Sequence, residues 1–98
     1  MLIITGRAVI PESNRKSFLE IGKTQVSRSL REAGCISYSF HEDAMSPGSF
    51  FFFEEWADRA AVDFHFAQPY CIEFIGKARE LASTPPEIRV YDATPARR

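Results

Sequence analysis

Four consecutive phenylalanines, Phe50 to Phe53, run directly into Glu54-Glu55-Trp56, and His65 follows nine residues after the tryptophan. This segment restricts the fold more than any other. Read as a strand, it sends successive side chains to opposite faces, so its four rings cannot all enter one core. Both faces must be covered. A chain of 98 residues has few elements left for another layer of its own, and a second copy packed sheet against sheet is the economical cover.

The flanking segments supply the rest of one domain over residues 1–92, with 93–98 as a tail. Leu2 to Ile10 is rich in β-branched residues and stops at Pro11, which predicts an opening strand. Glu12-Ser13-Asn14 offers capping side chains for a helix to about Ala33, with Phe18, Ile21, Val26, Leu30 and Ala33 on one face and Gly34, free to take positive φ, as its terminator. Cys35 to Glu42 alternates as a strand, with Ile36, Tyr38 and Phe40 expected to face the core. The turn dipeptide Pro47-Gly48 joins it to the phenylalanine strand as an antiparallel hairpin. Asp58 can cap a short helix through Phe66. Gln68-Pro69 interrupts it, and a second helix carries an apolar stripe of Cys71, Phe74, Ile75, Ala78 and Leu81 to about Ala82. Pro85-Pro86 then opens a last strand, Glu87 to Tyr91.

The order β-α-β-β-α-β is that of a ferredoxin-like α+β fold, a four-stranded antiparallel sheet with helices on one face. The other face is bare and lined with phenylalanine, so a homodimer is expected, its sheets packed face to face.

Composition removes several classes of partner. Twelve basic and thirteen acidic residues leave a net charge of −1, and no basic run, the terminal Arg97-Arg98 included, exceeds two residues, so no nucleic-acid footprint is expected. No apolar stretch approaches the roughly 20 residues of a membrane span, and the first residues lack the pattern of a signal peptide. The expectation is a cytoplasmic protein without a membrane partner. Cys35 and Cys71 lack zinc or disulfide spacing and read as buried thiols. His41 and His65 are the only histidines and lie on different elements, so no metal site is expected.

Ala33-Gly34-Cys35-Ile36-Ser37-Tyr38, Phe53-Glu54-Glu55-Trp56, Ala60-Ala61, His65 and Gln68-Pro69, in this order, resemble the antibiotic biosynthesis monooxygenase domain family over almost the whole chain. The resemblance implies a ferredoxin-like homodimer. It also implies oxidation of phenols, hydroquinones or polyketide-like molecules by molecular oxygen with no cofactor, although relatives degrade haem or isomerise small sugar-derived signals. Haem-degrading relatives carry an asparagine on the first strand where this chain has Thr5-Gly6-Arg7. The pairing of Gly34-Cys35 with Glu54-x-Trp56 looks more like the quinol-oxidising branch.

Such chemistry has stated needs. Ground-state oxygen is a triplet and reacts slowly with ordinary organic molecules, so without a cofactor the substrate itself must be made electron-rich by losing a proton. That takes a base near neutral pKa, donors for the oxyanion, and an apolar cavity for a flat ring. His65 suits the first need, and Trp56, Tyr38, Phe53 and Phe66 suit the walls. Each has a structural alternative: a packed or capping histidine, a core tryptophan whose N–H finds an acceptor, a tyrosine that only packs. Glu54 and Glu55 could present one carboxylate to the cavity, with solvated or ion-paired positions at the strand end as the default; His41 reads as an exposed or interface residue; Arg7 and Arg89 could orient an acidic substrate, with salt bridges across the sheet as the default. The alternatives to an oxygenase are a non-catalytic ligand-binding or interaction module on the same scaffold, and an isomerase using the same histidine.

Overall fold

The computed structural model describes residues 1–97. Strand β1 (Leu2–Val9) leads through a single 3-10 turn into helix α1 (Arg15–Ser29), followed by β2 (Cys35–Glu42), β3 (Ser49–Trp56), α2 (Arg59–Ala67), α3 (Pro69–Leu81) and β4 (Glu87–Asp92). The strands form one antiparallel sheet in the order β2-β3-β1-β4. This is the expected ferredoxin-like arrangement, with the second helical region in two pieces. Arg98, the end of the expected tail, lies outside the described residues.

Alternation along β3 divides the phenylalanine run between the two faces. Phe50 and Phe52 are buried beneath the helices, while Phe51 and Phe53 are half-buried on the opposite face. Phe18 of α1 is fully buried, with ring centroids 4.9 Å from Phe50, 6.0 Å from Phe52 and 6.4 Å from Phe40. Burying one such ring is worth about 2–3 kcal/mol. Ile4 of β1, Tyr38 of β2, Trp56 of β3 and Val62 of α2 join the same core.

Four local expectations are corrected. Helix α1 ends at Ser29, and the face it buries is Phe18, Gly22, Gln25 and Ser29, while Leu30 is 51% exposed. Apolar spacing pointed to a neighbouring stripe, but close approach to the sheet selects small residues: a Cβ on Gly22 would stand 2.7 Å from the Phe40 ring. Asn14 does not cap the helix with its side chain; its amide donates to the carbonyl of Leu81, tying the start of α1 to the end of α3. Gly34 is not in the left-handed region, which among the glycines only Gly48 occupies, at φ 89°. A Cβ on Gly34 would lie 2.3 Å from that of Ala61, so packing of α2 onto this turn is what requires glycine there. Finally, a register shift between Cys35 and Ser37 turns Ile36 away from the core, leaving it exposed while Tyr38 and Phe40 face inward as expected.

Glu42 fastens the sheet to the start of α1. Its carboxylate accepts from Arg15 Nε at 3.1 Å and Nη2 at 2.6 Å, and from the backbone N–H of Gly48 at 2.8 Å. These donors, the Arg15 side chain first, hold the carboxyl down at about 2.

Candidate active site

A break between two helices builds the site. Asp58 caps α2 by accepting from the N–H of Ala61 at 2.8 Å, and Pro69 ends that helix by forcing Gln68 into an extended conformation, φ −67° and ψ 132°. Proline is tolerated in the first turn of α3. The last turn of α2, carrying His65, and the first turn of α3, carrying Tyr70 and Cys71, therefore meet at a corner.

His65 is 1% exposed. Its Nδ1 lies 2.8 Å from Glu32 Oε2, in the turn after α1, and the same carboxylate oxygen accepts from the Tyr70 hydroxyl. An ionised carboxylate can only accept, so the Nδ1 proton is fixed toward Glu32 and Nε2 is left with its lone pair. Nε2 faces Cys71 Sγ at 3.5 Å and Glu54 Oε1 at 3.8 Å. Burial lowers the His65 pKa and the Glu32 carboxylate raises it, burial prevailing. The imidazole is thus neutral near pH 7, a base with a defined basic nitrogen.

Glu54 is a second buried acid. It is 5% exposed and accepts from the indole N–H of Trp56 at 3.0 Å. Burial raises its pKa to about 8, against the stabilising effect of Trp56 and Tyr38, so near neutrality it is largely a protonated, donating carboxyl group. Burial also pushes Cys71 up to about 11, and the Tyr38 phenol upward, keeping both protonated.

These groups border a cavity of about 50 Å³ between the helices and the sheet. Gly6 and Ala8 of β1 give it room, Glu54 and His65 bring polarity, and Phe74 and Ile75 of α3 stand with Pro86 and Ile88 at the start of β4 along another part of its wall. An apolar cavity of about 150 Å³ accommodates benzene, so a substituted ring enters here only if part of the wall yields.

Of the residues singled out from sequence, His65, Tyr38, Phe66, Glu54, Cys71 and Arg7 border this cavity. Trp56 is fully buried behind it, its ring 4.4 Å from the His65 ring. Phe53 lies on the opposite face of the sheet, because it is one residue out of step with Phe52 and Glu54. Glu55, also on that face, accepts from the Ser37 hydroxyl. His41 is exposed beside Ser39, Arg7 lies over the Phe51 ring at 4.6 Å, and Arg89 pairs with Glu87 of its own strand. Cys71 is buried and Cys35 half-buried.

Sequence reading missed Glu32, Tyr70 and Gln25, and for Glu54 favoured a solvated or ion-paired position over one facing the cavity. A signal for Glu54 was present: it shares strand parity with Phe52 and Trp56, so whatever buries those rings buries the carboxyl. Among the described residues no three His, Cys, Asp or Glu side chains form a group that could hold a metal ion. No helix there is long and apolar enough to cross a membrane.

The model of the antibiotic biosynthesis monooxygenase family matches residues 1–77. Protein sll1783 of Synechocystis is 40% identical over 90 residues, 92% of this chain and 61% of that protein, so the chain spans less than two thirds of that relative's length. YcnE of Bacillus subtilis is 27% identical over 88 residues, 90% of this chain and 93% of that protein. A crystal structure of an antibiotic biosynthesis monooxygenase superposes with a TM-score of 0.88 at 27% identity, covering 97% of this chain and all of the other. One from Deinococcus radiodurans superposes at 0.93 and 26% identity, covering 100% of this chain and 97% of that one.

Proposed function

The chain belongs to the antibiotic biosynthesis monooxygenase family, and on that premise we propose that it is a homodimeric, cofactor-independent monooxygenase that oxidises a small phenol or hydroquinone with molecular oxygen. The observation that carries the proposal is the His65–Glu32 pair, which holds a neutral imidazole with its basic Nε2 beside an apolar cavity. Family membership alone supports only a general monooxygenase-like function, since related folds host different reactions.

In this reading His65 Nε2 removes the phenol proton, and Glu32 stabilises the imidazolium that results. The phenolate passes one electron to oxygen, giving a substrate radical and superoxide. Their recombination forms a carbon–oxygen bond to a ring carbon, as a peroxide. Loss of the hydrogen on that carbon, with delivery of a proton to the distal oxygen, breaks the O–O bond and leaves a quinone carbonyl and water. Phenol plus oxygen thus becomes quinone plus water, with no outside reductant. Glu54, 3.8 Å from Nε2 and protonated near neutrality, is suited to pass the proton back. The apolar wall excludes water that would quench the radical pair. Tyr38 and Phe66 shape the pocket, while Trp56 acts through its contacts with Glu54 and His65.

The bare sheet face is the natural seat of the second copy. Phe51 and Phe53 stand on it with Val9, which is 48% exposed, and Tyr91, 44% exposed, an apolar surface of the kind that associates. The test of function is oxygen uptake by chelator-treated protein with a panel of hydroquinones and anthrone-like phenols, beside His65→Ala. Uptake that requires protein, survives chelation and falls at least about tenfold in the variant supports the reading. No uptake with any panel member overturns it in favour of an isomerase or a binding module.

A further inference from the structure

We propose that Gln25 is a substrate-binding residue whose side-chain amide donates to the ionised oxygen of the bound phenol. The proposal rests on the phenol-oxidation reading and extends it to a residue on a different helix from the base.

Gln25 is 2% exposed and lines the cavity, and its Nε2 completes no hydrogen bond of good geometry, although the Tyr38 hydroxyl and the Cys71 thiol lie close enough to feel it as a donor. Buried polar groups in folded proteins are nearly all paired, so an orphaned amide in a cavity wall asks what occupies the cavity. Its surroundings sharpen the question. On α1 the neighbouring buried positions are Phe18, Gly22 and Ser29, a face pressed into the core where leucine or methionine would fill the space without stranding a donor.

Four other donors near the cavity are engaged. The Trp56 indole N–H is held by Glu54, the Tyr70 hydroxyl and His65 Nδ1 by Glu32, and the Ser29 hydroxyl by the backbone carbonyl of Gln25. Once His65 has taken the substrate proton, the new anion sits in an apolar enclosure beside the imidazolium and the protonated Glu54, with the Glu32 carboxylate behind the imidazole ring. A further donor would stabilise it, and Gln25 Nε2 is, among the described residues, the buried side-chain nitrogen without a completed hydrogen bond. The Tyr38 hydroxyl, beside Gln25 and Ser29, extends the same polar spot. A donor that strengthens its bond as charge develops lowers the barrier to forming that charge.

The experiment follows 4-fluorophenol bound to the wild-type protein and to Gln25→Leu and Gln25→Met by fluorine NMR across pH. Hydrogen bonding to the anion favours it, so the bound phenol should ionise about one pH unit or more lower in wild type than in the variants. Steady-state oxidation of the best hydroquinone should fall about 100-fold in kcat with little change in KM. Equal ionisation in all three proteins, or no binding by wild type at millimolar phenol, overturns the role of Gln25 whatever the turnover. Gln25-dependent ionisation without oxygen uptake keeps the donor and discards the oxidation. If neither variant folds, the Gln25 side-chain amide resonances of the wild-type protein decide: a shift on phenol binding sustains the contact, and none removes it.

Discussion

His65 Nδ1 and Glu32 Oε2 meet at 2.8 Å across 33 residues of sequence, joining the last turn of α2 to the turn that follows α1. The contact does two things to the imidazole: it selects the tautomer with Nε2 unprotonated, and its charge raises a pKa that burial has lowered. Glu32→Gln removes both, because it carries no charge and its amide can donate to Nδ1 as readily as accept from it, so the tautomer is no longer fixed. The expected outcome is a loss of about 10–1000-fold in kcat/KM. Without the nearby charge the histidine pKa falls further, so the acid limb of the pH–rate profile should move to lower pH. A variant with wild-type rate and an unmoved limb would leave Glu32 only a structural tie.

Glu54 makes stability depend on pH in a defined direction. Its pKa rises from 4.5 to about 8 on folding, so between these values the folded state holds a proton that the unfolded chain has released. Stability from this group is fully present below pH 4.5 and is lost as pH rises through about 8. The whole swing is on the order of a few kcal/mol. Glu54→Gln keeps an acceptor for the Trp56 indole and cannot ionise. Thermal denaturation should show its melting temperature gaining on wild type from pH 5 to pH 8; a gap independent of pH would mean that Glu54 is charged throughout.

Local sequence signals and long-range packing contribute different parts of this site. Alternation in Phe50 to Trp56, the Asp58 cap and the Pro69 break are local signals, and each has its structural counterpart. Alternation alone leaves open which half of the run turns inward, so it does not separate Phe53 from Tyr38 and Phe66 as a pocket residue. Glu32 follows an arginine in a polar turn and reads as solvated; only the arrival of α2 and α3 over that turn buries its carboxylate. Gln25 interrupts an apolar stripe and is passed over for the same reason. Polar residues buried by long-range packing carry no periodic mark, and in this site they hold most of the chemistry.

Gly48 bears on stability rather than on the site. At φ 89° it lies where a side chain is strained, and a Cβ there would stand 2.6 Å from the carbonyl oxygen of Ile10. Its N–H also donates to Glu42, which holds Arg15 at the start of α1. Gly48→Ala should cost about 1–3 kcal/mol in chemical denaturation, and displacement of the hairpin turn should weaken the Glu42–Arg15 tie. A loss under about 0.5 kcal/mol would show that the turn relaxes without strain.

The sheet face away from the helices supplies the last expectation. Phe51 and Phe53 gain only partial burial there, from neighbours on their own sheet such as Arg7 over Phe51. If that face meets a second copy, a charge at its centre must be desolvated on association without a fixed partner, a strongly unfavourable step. Phe53→Arg should therefore shift the protein from dimer to monomer in light scattering at micromolar concentration. Far-UV circular dichroism should be retained, because the core contacts of Phe52 and Trp56 lie on the other face. A monomeric wild-type protein would remove the sheet-to-sheet dimer. A dimeric Phe53→Arg would place the interface elsewhere, with exposed strand β4 as the next surface to alter.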